Sequence, residues 1–339
     1  MPASAASTTP IQDRPSAPFI AADVGGTHVR LGLVQAGESG APPRILAYSK
    51  YRCADHAGLH AILEDFIRRC DTPVRQAVIA SAGYPLADGT VITANLPWPL
   101  SPASIRQALG LESVHLINDF EALAHATAQV DASQVLRLAG PATPGPGPAL
   151  ILGPGTGLGA AVWIPAGQGA IVLPTEAGQA SLAAGTELEM QLLRHMLAQR
   201  PHVSIEQAIS GPGLLNLYTA LCAVRGSAVV HRQPGDVTAA ALDNSDPLAR
   251  ECLQVFCGLL GSTVGDMALL YGAQSVYLAG GVLPHLSQFL QHSDFVPRFL
   301  NKGPMREALE RVSVKLVEHG QLGVLGAACW FLQAGSSGK

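Results

Sequence analysis

Charge is scarce in this chain of 339 residues: Asp, Glu, Lys and Arg make up 14% of it, and the formal net charge is −4. A protein that grips nucleic acid carries a basic footprint; none is present, so nucleic acid is excluded as a partner. No stretch of about eighteen consecutive apolar residues occurs, so no membrane span is expected. Residues 1–18 lack a basic segment followed by an apolar core, which argues against a secretory signal. Their Ala, Ser, Thr and Pro content is that of a disordered tail. The six cysteines, at 53, 70, 222, 252, 257 and 329, form no Cys-x-x-Cys pair and no His/Cys cluster with zinc spacing. Most sit in apolar helical patterns as small hydrophobes, a usage that fits a reducing cytoplasm. A Walker-type Gly-Lys-Ser/Thr is also absent, so this is not a P-loop protein.

What is present is hydrophobic residue, 48% of the chain, enough for the cores of two ordinary domains. The apolar run from Phe19 carries Asp23 into Gly25-Gly26-Thr27, then returns as alternating Val29, Leu31 and Leu33. Alternation predicts a second strand, so the glycines lie in a hairpin turn. Such a turn can converge backbone N–H groups on a phosphate, with the Thr27 hydroxyl as a further donor and Asp23 placed to act on a metal ion or its waters. An ordinary hairpin with glycines at positive φ explains this segment alone equally well. A second unit of the same form, Ala149–Ile164 around Gly155-Thr156-Gly157, changes the balance. Two strand–turn–strand units half a chain apart predict a duplicated α/β domain. A third pair, Gly280-Gly281, follows the apolar strand Ser275–Ala279.

Between these turns, helical spacing predicts an amphipathic helix through Leu59, Ile62, Leu63, Phe66, Ile67 and Cys70. Ala77–Ala80 and Val114–Ile117 read as strands, and Phe120–Gln129 as a helix. Ser101, Pro102 and Gly110 mark the cap, first position and stop of a short helix. Capping boxes Thr186-x-x-Glu189 and Ser204-x-x-Gln207 predict two more, the second containing Glu206. Asp246-Pro247 opens the longest helix, to Tyr271, and Leu322–Leu332 closes the chain as another.

The ordered segments Asp23–Arg30, Leu116–Phe120, Gly153–Gly159, Pro174–Gly178, Ser210–Tyr218 and Ala279–Val282 resemble the bacterial ATP-dependent glucokinases, over roughly residues 19 to 330. That family belongs to the actin, hexokinase and heat-shock chaperone superfamily. The resemblance implies an α/β fold of two similar domains, each a mixed β-sheet flanked by helices, actin/hexokinase-like (ribonuclease H-like), with a central cleft. The expected division is a tail over 1–18, a small domain over 19–118 with about 320–339, and a large domain over 119–319. It also implies a cytoplasmic homodimer that uses ATP and Mg²⁺ to phosphorylate glucose.

By the same resemblance Asp119 is the catalytic base, at the end of a strand where open sheets place ligands; a helix cap is the plainer reading of an Asp there. Asn118, Asp119, Glu176 and Glu206 match the sugar-binding positions, and Asn95 and Gln179 are further sugar-binding candidates. Ala22, Asp23, Val24, Gly25, Gly26 and Thr27 would cradle phosphates from one side, Gly155, Thr156 and Gly157 from the other. Gly280 and Gly281 would lie at the adenosine. Arg30 reads as a strand Arg with a solvated head. Turn chemistry explains Asn95, and a helix first turn Glu206, nearly as well. Gln179 stands where the family places His, which opens the alternatives of a different hexose or a catalytically weak sugar sensor. A dehydrogenase is the remaining rival, because Gly155–Ala160 matches Gly-x-Gly-x-x-Gly/Ala; that fingerprint demands a following helix, and the sequence reads as strand.

Overall fold

The computed structural model describes residues 17–38, 41–85, 91–92, 96, 98–127, 130, 135–167, 169–317 and 320–334. Most of the expected tail, together with Asn95 and Gln129, lies outside the described residues. The chain divides into two compact units, Met1–Val130 with Gly320–Lys339, and Asp131–His319.

The first unit is built on strands β1 (Phe19–Val24), β2 (His28–Gln35), β3 (Arg44–Arg52), β4 (Gln76–Ser81) and, after a two-stranded ribbon β5 (Tyr84–Pro85) with β6 (Val91–Ile92), β7 (Ser113–Ile117). Their order in the sheet is β3-β2-β1-β4-β7. The first three form an antiparallel meander, while β1, β4 and β7 pair in parallel. One face is covered by the predicted amphipathic helix α1 (Leu59–Cys70) and by α2 (Pro102–Leu109). The α2 signals act as read: the Ser101 hydroxyl accepts the Ser104 N–H at 3.3 Å, and Gly110 stops the helix at φ 62°.

The other face is covered by α3 (Asp119–Ala126) and the C-terminal helix Leu322–Ala334. Sequence reading places α3 beyond a boundary at 118, whereas it belongs to the first unit. The reason is its packing: Gly326 presses directly on the Ala122 carbonyl, an approach only a residue without Cβ permits. The same helix settles on the sheet where a Cβ at Gly32 would lie 2.6 Å from Val324.

The second unit repeats the plan. Strands β8 (Val135–Ala139), β9 (Ala149–Pro154), β10 (Leu158–Ala166), β11 (Gly169–Thr175), β12 (Ser275–Leu278) and β13 (Ser313–Val317) lie in the order β11-β10-β9-β12-β13-β8. Again three strands form a meander and β9, β12 and β13 are parallel. The expected duplication is therefore a shared topology, with β8 added at one edge.

Helices α4 (Glu187–Leu197), α5 (Gly211–Arg225), α6 (Pro234–Leu242) and α7 (Pro247–Tyr271) supply most of the helical core. Thr186 caps α4 as predicted, but the Glu189 carboxylate takes the Gly185 N–H at 2.7 Å and pairs with Arg298. Around Ser204 the predicted helix is only a hydrogen-bonded turn. Gln207 does reach back to the Ser204 N–H at 3.0 Å, but the chain is re-capped at Ser210, where α5 begins. Helix α7 has the length and apolar character of a membrane span, and 67% of its apolar window is buried by the fold. All six cysteines are free thiols.

Gly326→Ala tests the helix contact with opposite expectations. Alanine is the better helix former by about 1 kcal/mol. Crowding against the Ala122 carbonyl should outweigh this and lower stability by about 1–3 kcal/mol. Urea denaturation followed by tryptophan fluorescence reads the sign, and a stabilised variant would contradict the packing described.

Candidate active site

In the first unit, parallel pairing of β1, β4 and β7 brings Val24, Ser81 and Ile117 to one edge of the sheet. The turn 25–27 and the pair Asn118-Asp119 both leave from that edge. The turn is closed by the Gly25 N–H on the His28 carbonyl at 3.0 Å. Buried Cys53 holds it from below: its N–H donates to the Thr27 carbonyl at 2.9 Å, and its thiol to the Gly25 carbonyl at 3.2 Å. Neither Gly25 nor Gly26 has positive φ, so the ordinary-hairpin explanation of these glycines fails. A Cβ at Gly25 would meet its nearest neighbour at an ordinary 3.6 Å. Ala22 and Val24 point into the core, leaving only their backbone to meet a ligand.

Asp23 is 4% exposed, and the Arg30 guanidinium donates to its Oδ2 at 3.1 Å. The solvated-head reading of Arg30 is thereby corrected: the hairpin register sets it directly opposite Asp23. Room for the carboxylate comes from Gly323, where a Cβ would lie 2.6 Å from the Asp23 Cγ. Register also produces a basic flank that the sequence did not disclose, with His28 opposite Arg52 and Arg30 opposite Lys50. Burial, then Lys50, Arg30 and Arg52, hold the His28 imidazole below its usual value, favouring the neutral ring.

Asn118, and not Asp119, caps α3. Its Oδ1 accepts the N–H groups of Phe120 and Glu121 at 2.9 and 3.1 Å. Asp119 is the first helical residue, half-buried, and its carboxylate faces the helix N-terminus through a 2.9 Å contact with the Phe120 N–H. This position favours the ionised form.

In the second unit the turn 155–157 closes by the Gly155 N–H on the Gly157 carbonyl at 2.7 Å and leads into β10, a strand. The dinucleotide fingerprint therefore lacks its helix. Two other segments pack on this turn. The Gly211 N–H, at the start of α5, donates to the Gly155 carbonyl at 2.8 Å. The Gly280 turn also packs at the end of β9: Gly280 has φ 100°, and a Cβ there would lie 2.6 Å from the Pro154 carbonyl. In contrast, a Cβ at Gly155 or Gly281 would meet nothing within 4 Å, and Thr156 is exposed.

Glu206 joins this cluster through a bond to β10, its Oε2 accepting the Leu158 N–H at 2.8 Å. The first-turn reading of Glu206 is overturned, since no helix surrounds it. Its Oε1 accepts from Gln179 Nε2 at 3.3 Å, so those two sugar-position candidates touch. Glu176 starts the short turn 177–179, exposed, with its carboxylate bound by no described residue. Among the described residues no group of three or more His, Cys, Asp and Glu side chains is arranged to hold a metal ion.

Comparison with known proteins gives the family. Residues 20–334 match the family model described as Glucokinase. A glucokinase-like protein of Xylella fastidiosa (strain 9a5c) is 57% identical over 326 residues, covering 95% of this chain and 97% of the relative. A glucokinase of Saccharophagus degradans is 37% identical, covering 93% and 98%. Among solved structures, a glucokinase from an Antarctic psychrotroph superposes with a TM-score of 0.82 at 33% identity, over 93% of this chain and 99% of that one. A ROK family glucokinase from Streptomyces griseus, in complex with glucose and AMPPNP, shares the fold at a TM-score of 0.58 and 21% identity, over 92% and 98%. The chain belongs to the glucokinase family and has the actin-like sugar-kinase fold.

The Asp23–Arg30 pair carries its own test. Arg30→Met leaves a buried carboxylate short of a charged donor and should cost about 1–3 kcal/mol of stability. Adding Asp23→Asn should recover part of that loss. Urea midpoints of the single and double variants check it, and an unchanged midpoint for Arg30→Met would contradict the pairing.

Proposed function

We propose that this kinase of the glucokinase family transfers the γ-phosphoryl group of ATP to the 6-hydroxyl of glucose, giving glucose 6-phosphate and ADP. The observation that carries the reading is the placement of Asp119. It follows β7 on the same sheet edge as the Asp23–Thr27 turn, in the first turn of a helix that Asn118 caps. The ionised carboxylate orients the attacking hydroxyl and takes its proton as the bond to phosphorus forms.

Phosphoryl transfer otherwise needs positioning and charge stabilisation. Backbone N–H groups of the two glycine turns, with the Thr27 and Thr156 hydroxyls, serve the β- and γ-phosphates in this reading. Arg30, Lys50 and Arg52 add positive potential beside the first turn. Mg²⁺ usually keeps several waters and takes most of its remaining ligands from phosphate oxygens, so a three-residue protein cage is not required. Asp23, already bound to Arg30, suits a contact through water. The ion, when bound, neutralises charge on the phosphates.

Glucose is served by Asn118, Asp119, Glu176, Gln179 and Glu206, with Asn95 as a further candidate. Asn118 spends Oδ1 on its helix and so offers its amide N–H₂ to a hydroxyl. Gln179 directs Nε2 at Glu206 and offers its carbonyl oxygen. Gly281 keeps space open for the adenosine. Support for this substrate pair comes from the family match and from the Streptomyces griseus relative, whose complex holds glucose and AMPPNP.

Asp119→Asn keeps shape and removes the base. Its kcat should fall by roughly two to four orders of magnitude, the usual worth of a positioned general base. Glucose affinity by calorimetry should change far less. Near-normal turnover by the variant would overturn the assignment.

A further inference from the structure

Glycine 157 is not required by its own backbone, which lacks positive φ. It is required by a neighbour, because a Cβ there would collide with Glu206 Oε2. That oxygen sits against the turn to accept the Leu158 N–H at 2.8 Å. The rest of Glu206 is fixed as firmly. Its N–H donates to the Gly178 carbonyl at 2.9 Å, and its carbonyl accepts the Ser210 hydroxyl at 2.7 Å. The same hydroxyl caps α5 through the Gly213 N–H at 2.9 Å, and the next residue, Gly211, donates to the Gly155 carbonyl at 2.8 Å. A closed ring of bonds thus runs from Gly155 through Leu158, Glu206 and Ser210 back to Gly155. The second carboxylate oxygen leaves the ring, toward Gln179.

From this geometry we infer that Glu206 is a positioning residue that couples the sugar segment to the phosphate turn, and that Gly157 is glycine to admit its carboxylate. The inference rests on the reading that Glu206 and Gln179 meet glucose and that the turn 155–157 meets nucleotide phosphate. A hexose hydroxyl that takes a lone pair of Glu206 alters the acceptor held by Leu158, and hence the turn. Coupling of this kind is reciprocal: glucose tightens nucleotide binding by the factor that nucleotide tightens glucose binding.

The test is a double-mutant cycle on the full chain, read by calorimetry with AMPPNP, with and without saturating glucose. Gly157→Ala alone should weaken AMPPNP by about tenfold, since overpacking displaces the carboxylate or the turn. In a Glu206→Ala background the same change should cost under about threefold, because the colliding atom is gone. The ratio of AMPPNP affinities with and without glucose should fall toward one in Glu206→Ala. Glu206→Gln, which retains an acceptor for the Leu158 N–H, should recover part of the lost AMPPNP affinity. A cost of Gly157→Ala that is equal in both backgrounds overturns the inference, and so does a glucose effect that survives Glu206→Ala. Thermal melting shows whether each variant folds; should Glu206→Ala not fold, the same cycle run with Glu206→Gln decides, through the glucose ratio. Failure of the wild type to bind any hexose defeats the substrate reading and this inference together, whereas an equal cost with glucose bound normally defeats the inference alone.

Discussion

Parallel pairing of β1 with β4 and of β9 with β12 is the constraint from which the arrangement of candidate residues in each unit follows. Parallel strands end at the same edge, so whatever follows one lies beside whatever follows the next. In the first unit that edge collects the glycine turn after Val24 and Asn118-Asp119 after Ile117. In the second it collects the turn after Pro154 and the Gly280 turn after Leu278. Residues far apart in sequence become neighbours with no special device. The antiparallel hairpin then adds its own contribution: its register sets Arg30 opposite Asp23 and lines basic side chains beside the turn.

Glycines divide into two groups once their surroundings are known. Gly153, Gly157, Gly280, Gly323 and Gly326 are demanded by the protein itself, since a Cβ at each would strike backbone or a carboxylate. Gly155 and Gly281 are not: open space faces them, and neither has positive φ. Gly25 has only an ordinary contact. The glycines assigned to the nucleotide fall in both groups, Gly157 and Gly280 in the first and Gly155 and Gly281 in the second, and Gly169 and Gly235, assigned to no ligand, are equally open.

Much of this was legible in the sequence because local physics repeated it. Ser101, Thr186 and Asp246 cap helices that Gly110 and Gly272 or polar turns end, and both hairpins announce themselves by alternation around glycine. What escaped depends on partners distant in the chain. Leu158 and Glu206 are far apart in sequence, and neither residue type signals the bond between them. Arg30 looks solvated until hairpin register gives it Asp23. Helix α5 opens with Gly-Pro-Gly, which reads as loop, and is apolar on nearly all sides, so no period betrays it. Conversely, the Ser204 capping box is a true local signal that tertiary structure overrides, because Ser210 restarts the chain as α5. The domain boundary moved for the same kind of reason: α3 packs on the first sheet and against the C-terminal helix, both distant in sequence.

The proposed reaction passes a phosphoryl group from ATP to a sugar hydroxyl that Asp119 orients. The most direct measurement is release of ADP from MgATP by the purified full-length protein, coupled to assay of glucose 6-phosphate, with and without glucose and across a panel of its epimers and amino sugars. The expected result is ADP released only when sugar is added, with one glucose 6-phosphate formed per ADP. No release above background on any hexose would contradict the account.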